Sequence, residues 1–262
     1  MTATLERPPQ QRSREDRETP AVRLDHVTKA FGSNRVLDDV SLDVPDGCGF
    51  VILGRSGTGK SVTLRHIVGL VRPDSGRVYV RGEEISALSG SALAAVRRQI
   101  GFLFQSAALF DSISVGENVA FPMRRHTKMS DGEIRQRVSA KLASVGLKSD
   151  YDKMPGDLSG GMRKRAGLAR AMALDPALLL VDEPSAGLDP ITSEEIDDLL
   201  LDLKRQGTTL IVVTHNIPSA RKLGDELVLL HKGRIAAQGT VAEFEASEHE
   251  LVRSFMHSTH SG

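Results

Sequence analysis

An uninterrupted apolar run, Phe50-Val51-Ile52-Leu53, passes straight into Gly54-Arg55-Ser56-Gly57-Thr58-Gly59-Lys60-Ser61, and Val62-Thr63-Leu64-Arg65-His66-Ile67-Val68 follows at once. The central residues fit G-x-x-x-x-G-K-[ST], a loop that cradles nucleoside triphosphate phosphates when a strand enters it and a helix leaves it. The flanks read as that strand and that helix. Gly54, Gly57 and Gly59 let the backbone curl so that successive amides, together with the helix N-terminus, face a phosphate. Lys60 then reaches the β- and γ-phosphates, and the Ser61 hydroxyl binds Mg²⁺. A glycine-rich turn without a ligand would use the same residues, so the rest of the chain must decide.

The chain has 262 residues, enough for one large α/β domain or two small ones. Lys+Arg and Asp+Glu stand at 34 each, so no basic field points to nucleic acid. Cys48 is the sole cysteine, which excludes an internal disulfide and suits a reducing cytoplasm. No apolar run approaches the ~18 residues of a membrane span, and the N-terminus lacks signal-peptide order. The expectation is a soluble intracellular protein.

Residues 1–20, polar and proline-bearing, read as a disordered arm. From Ala21 to Leu53, apolar runs alternate with the turn signals Phe31-Gly32-Ser33-Asn34 and Pro45-Asp46-Gly47, predicting an antiparallel sheet that leads into the central strand. A second hairpin is expected to turn at Pro73-Asp74-Ser75-Gly76 before Arg77-Val78-Tyr79-Val80. Ser89 to Arg98 reads as a helix, and Ile100 to Phe104 as a strand ending at Gln105. Ser114-x-x-Glu117 and Ser130-x-x-Glu133 are capping-box helix starts. The second carries Ile134, Val138, Leu142 and Val145 on one face and stops at Gly146.

Strands return at Ala177 to Val181 and Thr208 to Val213, with a helix from Glu194 to Lys204 between them. Such continuous apolar runs suit parallel strands covered on both faces. A hairpin turns at Lys232-Gly233, and Thr240-x-x-Glu243 opens the last helix. The predicted fold is α/β: a P-loop NTPase core with a parallel sheet, an antiparallel β subdomain and an inserted α-helical subdomain. The domain is expected over residues 21–247, with the insertion at about 88–172 and a C-terminal tail over 248–262.

The strand ending at Val181 delivers Asp182-Glu183 at its carboxyl end, where open α/β sheets bind ligands. Two acids straight after an apolar run are costly unless they meet cations or hydrogen-bond donors. Asp182 fits the carboxylate that supports Mg²⁺, and Glu183 the general base that polarises water; a surface turn opened by Pro184 is the plainer alternative. Leu158-Ser159-Gly160-Gly161-Met162 opens a helix towards Ala173 with Ser159 as N-cap. That stretch is either an ordinary capped helix or a second anion site at a helix N-terminus. One nucleotide needs one loop, so a second anion site would serve a nucleotide held by another copy of the chain.

In this order, the phosphate loop, Gln105, Leu158-Ser159-Gly160-Gly161, Asp182-Glu183, Asp189 and His215 resemble the ABC transporter ATPase family from about Val22 to Phe255. The resemblance implies a head-to-tail dimer of the chain with two ATP molecules, each with Mg²⁺, between the copies. It implies that Ser159 and Gly161 meet the γ-phosphate of ATP on the opposite subunit's Lys60, with Gly160 between them in the same nucleotide-binding stretch. It also implies that Gln105 senses Mg²⁺ and the attacking water, His215 contacts the γ-phosphate, Asp189 lies at the dimer seam and Phe31 stacks on adenine. A strand-end cap at Gln105, a satisfied polar His215 and a core Phe31 are the plainer alternatives.

Met162 stands where the family usually has glutamine, and Asn216 where aspartate follows the histidine. Val62 follows Ser61 where a second hydroxyl often helps hold the α-phosphate, so backbone amides must serve there. These departures, with Phe104-Gln105-Ser106-Ala107-Ala108-Leu109-Phe110, Phe121-Pro122-Met123-Arg124, Ser159 to Arg165 and Asp189-Pro190-Ile191-Thr192, resemble the ATPase subunits of bacterial Mla and Mce lipid-transport systems. By that resemblance the chain powers lipid movement across the bacterial envelope from the cytoplasmic face of the inner membrane. The implied partners are a Mla/Mce-type permease and an Mce-domain substrate-binding protein. The alternatives are an importer ATPase for another small solute, a soluble ABC protein acting on ribosomes or DNA, and a module that binds ATP without hydrolysing it.

Overall fold

A computed structural model describes residues 19–257; most of the N-terminal arm and the last residues of the tail lie outside that range. Two sheets form the frame. Strands β1 (Val22–Phe31), β2 (Asn34–Val44), β4 (Ser75–Val80) and β5 (Glu83–Glu84) make an antiparallel sheet in the order β2-β1-β4-β5. The other sheet has the order β10-β9-β3-β8-β7-β6, from β3 (Gly49–Leu53), β6 (Ile100–Leu103), β7 (Leu178–Asp182), β8 (Thr209–Thr214), β9 (Glu226–His231) and β10 (Arg234–Thr240). It is parallel except where β10 turns back on β9.

Every residue of β3, β7 and β8 is buried, as their continuous apolar runs require. Their side chains alternate between two cores on opposite faces of the sheet. Val51, Leu53, Leu179, Val181, Leu210 and Val212 join the helical side. Phe50, Ile52, Leu178, Leu180, Ile211 and Val213 join the antiparallel sheet and α1 (Lys60–Ile67). A one-residue register slip would exchange the two sets, so the pairing is strongly specified.

That register aligns the strand ends. Leu53 pairs with Thr214, and Asp182 with Val213. The phosphate loop, the acid pair and His215 therefore leave the sheet at one edge, at its carboxyl ends.

Helix α2 (Gly90–Arg97) precedes β6; α3 (Val115–His126), α4 (Asp131–Ser144) and α5 (Gly160–Ala171) fill the interval between β6 and β7. Ile134, Val138 and Leu142 of α4 face Val119, Met123 and Leu168 in one buried cluster. Truncating Ile134, Leu142, Met123 or Leu168 to alanine costs about 2–5 kcal/mol. The remaining helices are α6 (Pro190–Arg205), α7 (Ile217–Leu223), α8 (Val241–Glu245) and α9 (Glu250–Met256).

Several local expectations change. The second hairpin turns at Arg81-Gly82; Pro73-Asp74 instead leads β4 onto β1, with Asp74 taking the Lys29 ammonium and the Ala30 amide. Ser130 and Glu133 form a full capping box, whereas Ser114 caps its helix alone because Glu117 pairs with Arg124. Helix α6 starts at Pro190, ahead of the expected Glu194, since Asp189 caps it and proline suits its first turn. Helix α8 is not the last: α9 follows, burying Val252, Phe255 and Met256 at the start of the segment read as a tail.

Candidate active site

Gly59 starts the site. It is the N-cap of α1 at φ +103°, and a Cβ there would lie 2.7 Å from the Val36 carbonyl oxygen, so both the turn and the close approach call for glycine. The first intrahelical bond runs from the Thr63 amide to the Gly59 carbonyl. The amides of Lys60, Ser61 and Val62 thus have no intrahelical acceptor and form the positive end of the helix. Arg55, Ser56 and Gly57 are exposed around this loop, and the Thr58 hydroxyl braces it by donating to the Arg55 carbonyl (2.9 Å).

Lys60 curls back over the loop. Its Nζ donates to the carbonyls of Gly54 (2.8 Å) and Arg55 (3.2 Å) and lies 3.3 Å from Glu183 Oε1. Both partners of that ion pair are almost fully buried. The other carboxylate oxygen, Oε2, meets His215 Nδ1 at 2.9 Å. Ser61 Oγ donates to Asp182 Oδ1 at 2.7 Å. Burial pushes the Asp182 carboxyl up and the Glu183 charge adds to this, while the Ser61 hydroxyl opposes it.

A hydroxyl and a carboxylate are the hard oxygen donors that Mg²⁺ takes. No cluster of three His, Cys, Asp or Glu side chains suited to a metal occurs among the described residues. A divalent ion here would therefore complete its shell with nucleotide and water oxygens, as phosphoryl-transfer sites do.

Glu183 itself sits at φ +45°, a left-handed conformation that costs a non-glycine residue about 1–2 kcal/mol. Its amide continues the sheet by donating to the Val213 carbonyl (2.9 Å), and its own carbonyl accepts from Lys164 Nζ at 3.0 Å.

The remaining predicted residues stand apart. Ser159 is exposed and caps α5 by accepting from the Met162 amide (3.2 Å). Asp189 is exposed and caps α6 through the Thr192 amide and hydroxyl. No hydrogen bond or ion pair joins Ser159, Gly160, Gly161 or Asp189 to Lys60, Ser61, Asp182 or Glu183 among the described residues. Gly161 and Asp189 do meet through Thr192: a Cβ on Gly161 would lie 2.3 Å from its Cγ2. Phe31 is half-exposed with the Lys29 ammonium 5.4 Å from its ring centroid, which leaves a ring available for stacking rather than a core residue. Gln105 is exposed beyond the end of β6.

Three supporting side chains escape a reading of the sequence. Asn118, fully buried, exchanges hydrogen bonds with the Phe110 backbone and donates to the Ile113 and Ser114 carbonyls, fixing the chain that follows Gln105. Arg170 braces the same loop at the carbonyls of Ala107 and Ala108, both left-handed. Lys164 is the third. Its signal is a lysine four residues before Leu168, on the buried face of its helix.

A family model described as ABC transporter matches residues 37–186. The chain belongs to that family. The ABC fold is equally plain in solved structures. A dimeric ATP-binding cassette in a post-hydrolysis state, bound to ADP and phosphate, aligns with TM-score 0.78 at 35% identity, over 84% of this chain and 98% of its own. The cbiO1 protein of Clostridium perfringens, part of the ABC transporter complex cbiONQ, aligns with TM-score 0.79 at 29% identity, over 92% and 96%.

Among curated relatives, a probable ribonucleotide transport ATP-binding protein, mkl, of Mycobacterium leprae is 43% identical over 92% of this chain and 70% of its own length. The intermembrane phospholipid transport system ATP-binding protein MlaF of Escherichia coli is 40% identical over 88% and 86%. The chloroplastic protein trigalactosyldiacylglycerol 3 of Arabidopsis thaliana is 40% identical over 87% and 71%. The protein is an ABC ATPase that binds and hydrolyses ATP. No described helix is long and apolar enough to cross a membrane.

Proposed function

We propose that this ABC ATPase energises the movement of a phospholipid or related lipid, working as a head-to-tail dimer under a Mla/Mce-type permease at the cytoplasmic face of the inner membrane. An Mce-domain substrate-binding protein is the second partner proposed. The observation that carries the lipid reading is that a bacterial and a plastid relative, each 40% identical over most of the chain, are both named for a lipid, a phospholipid in one and trigalactosyldiacylglycerol in the other.

Within one copy, Lys60 and Glu183 neutralise one another. An arriving triphosphate competes for Lys60, which turns from the Gly54 and Arg55 carbonyls to the phosphates and releases the Glu183 carboxylate. Glu183 then takes the proton of the attacking water while His215 holds Oε2 and reaches towards the γ-phosphate. Ser61 and Asp182 would hold Mg²⁺, with Gln105 sensing it, and the ion would supply neutralising charge on the phosphates. Phe31 stacks on adenine. Ser159, Gly160 and Gly161 of the second copy, with Asp189 at the seam, close the site from the other side.

The mycobacterial relatives favour a second reading, in which a ribonucleotide is the cargo. The test is membrane capture of the protein with its permease, identified by mass spectrometry, followed by reconstitution in liposomes. Transfer of labelled phospholipid that stops in Glu183→Gln is expected. ATP-dependent ribonucleotide movement without lipid transfer would overturn the lipid reading.

A further inference from the structure

Lys164 is out of place by ordinary rules. It sits on α5, the helix opened by Ser159-Gly160-Gly161, yet it is only 5% exposed and lies on the same face as the core residue Leu168. Burying an ammonium group is unfavourable unless charge and hydrogen bonds compensate. Among the described residues its Nζ has one hydrogen-bond partner, the Glu183 carbonyl at 3.0 Å. A glutamine could make that single bond without the charge. The compensation for the charge is local: the Asp182 and Glu183 carboxylates both favour the ammonium, against the burial that pulls its pKa down.

The bond lands on a strained residue. Glu183 is left-handed at φ +45°, held on its amide side by the Val213 carbonyl and on its carbonyl side by Lys164 and the Ala186 amide. Conformations of this kind persist only where neighbours over-determine them. The Val213 bond belongs to the sheet and the Ala186 bond to the turn itself. Among the described residues, Lys164 is therefore the side chain that anchors the Glu183 backbone, and it does so from α5.

We propose that Lys164 is a positioning residue for hydrolysis: it pins the Glu183 backbone so that the carboxylate points at the water site, and so ties the helix that presents Ser159 to the base of its own subunit. The inference rests on Glu183 being the base, as proposed above. A shift of α5, when Ser159 engages the opposite nucleotide, would then be felt directly at Glu183.

The test compares Lys164→Met, which keeps the length and removes the donor, with Lys164→Gln, which keeps a neutral donor. ATPase kinetics, ATP affinity and melting temperature are measured for each. Lys164→Met is expected to lower kcat about tenfold or more with KM and ATP affinity within about twofold, a loss confined to the chemical step. Lys164→Gln is expected to recover a large part of it. Lys164→Leu replaces the methionine variant if that variant does not fold. Unchanged kcat in the donorless variant, a kcat loss that merely follows melting temperature and KM, or a glutamine no better than methionine would overturn the proposal. Normal turnover by Glu183→Gln would instead remove the base assignment, so the two failures are separable.

Discussion

The two halves of the candidate site are built differently. On the phosphate-loop side, Ser61 bonds Asp182 (2.7 Å) while Glu183 meets Lys60 (3.3 Å) and His215 (2.9 Å), and Lys60, Asp182 and Glu183 are buried. On the Ser159 side, the side chain caps its own helix in the open, and a Cβ added at Gly160 would meet the Leu188 side chain at an ordinary 3.4 Å. The first half is fixed by the sheet register before any ligand arrives. The second is a helix end open to solvent, its Ser159 side chain engaged only with its own helix among the described residues. An exposed helix end of this kind is what the proposed head-to-tail dimer would use, and a related cassette is dimeric.

Glu183→Gln tests that contrast most severely. Loss of a general base costs about 10²–10⁴ in rate, so phosphate release should fall at least a hundredfold while ATP binding is kept. Equal loss of binding would place Glu183 in a structural role instead.

Next in size is Gly161→Ala. The added methyl collides with Thr192 Cγ2 at 2.3 Å, displacing the end of α5 against α6. Turnover should drop about tenfold, in the range of steric clashes in packed sites. Thr192→Ser removes the offending methyl but keeps the hydroxyl on Asp189, so the double variant should regain most activity; Gly160→Ala should be far milder.

Phe31→Ala should raise KM for ATP by roughly fivefold to tenfold with little change in kcat, the worth of one aromatic–base stack. A change in kcat alone would argue against stacking.

The smallest effect concerns stability. Burial raises the Asp182 carboxyl above its ordinary 3.8. A raised acid supports the fold fully below its unfolded value, and that support is lost as pH rises through the folded value. Asp182→Asn does not titrate and can still accept from Ser61. Without nucleotide it should therefore melt higher than the parent by on the order of 2 °C at neutral pH. The gap should shrink as pH falls towards 4, while hydrolysis is lost. A gap that widens in acid would contradict the burial argument.

Much of this is legible in the chain because apolar continuity is a strong signal. Phe50 to Leu53, Leu178 to Val181 and Leu210 to Val213 announce buried parallel strands, and their ends carry the loop, the acids and the histidine to one edge. Helix α7 escapes notice because it is short and carries Pro218, although Asn216 caps it by accepting from the Ser219 amide. The departure at Asn216 thus keeps a capping oxygen. Asn118 and Arg170 are invisible as site residues because each acts on backbone carbonyls, which no side-chain pattern records, while Lys164 shows only as a lysine on a buried helix face. The split of the site between a sheet-fixed half and a helix-fixed half likewise depends on three-dimensional separation, which sequence order alone cannot express.

The central claim is that each ATP is hydrolysed between Lys60 of one copy and Ser159 of the other. Lys60→Ala and Ser159→Arg subunits, each inactive alone, should regain phosphate release when mixed, because the mixed dimer holds one intact composite site. Random pairing sets a ceiling of about a quarter of parental activity. A mixture as dead as its components, or full activity in a strictly monomeric preparation, would contradict the account.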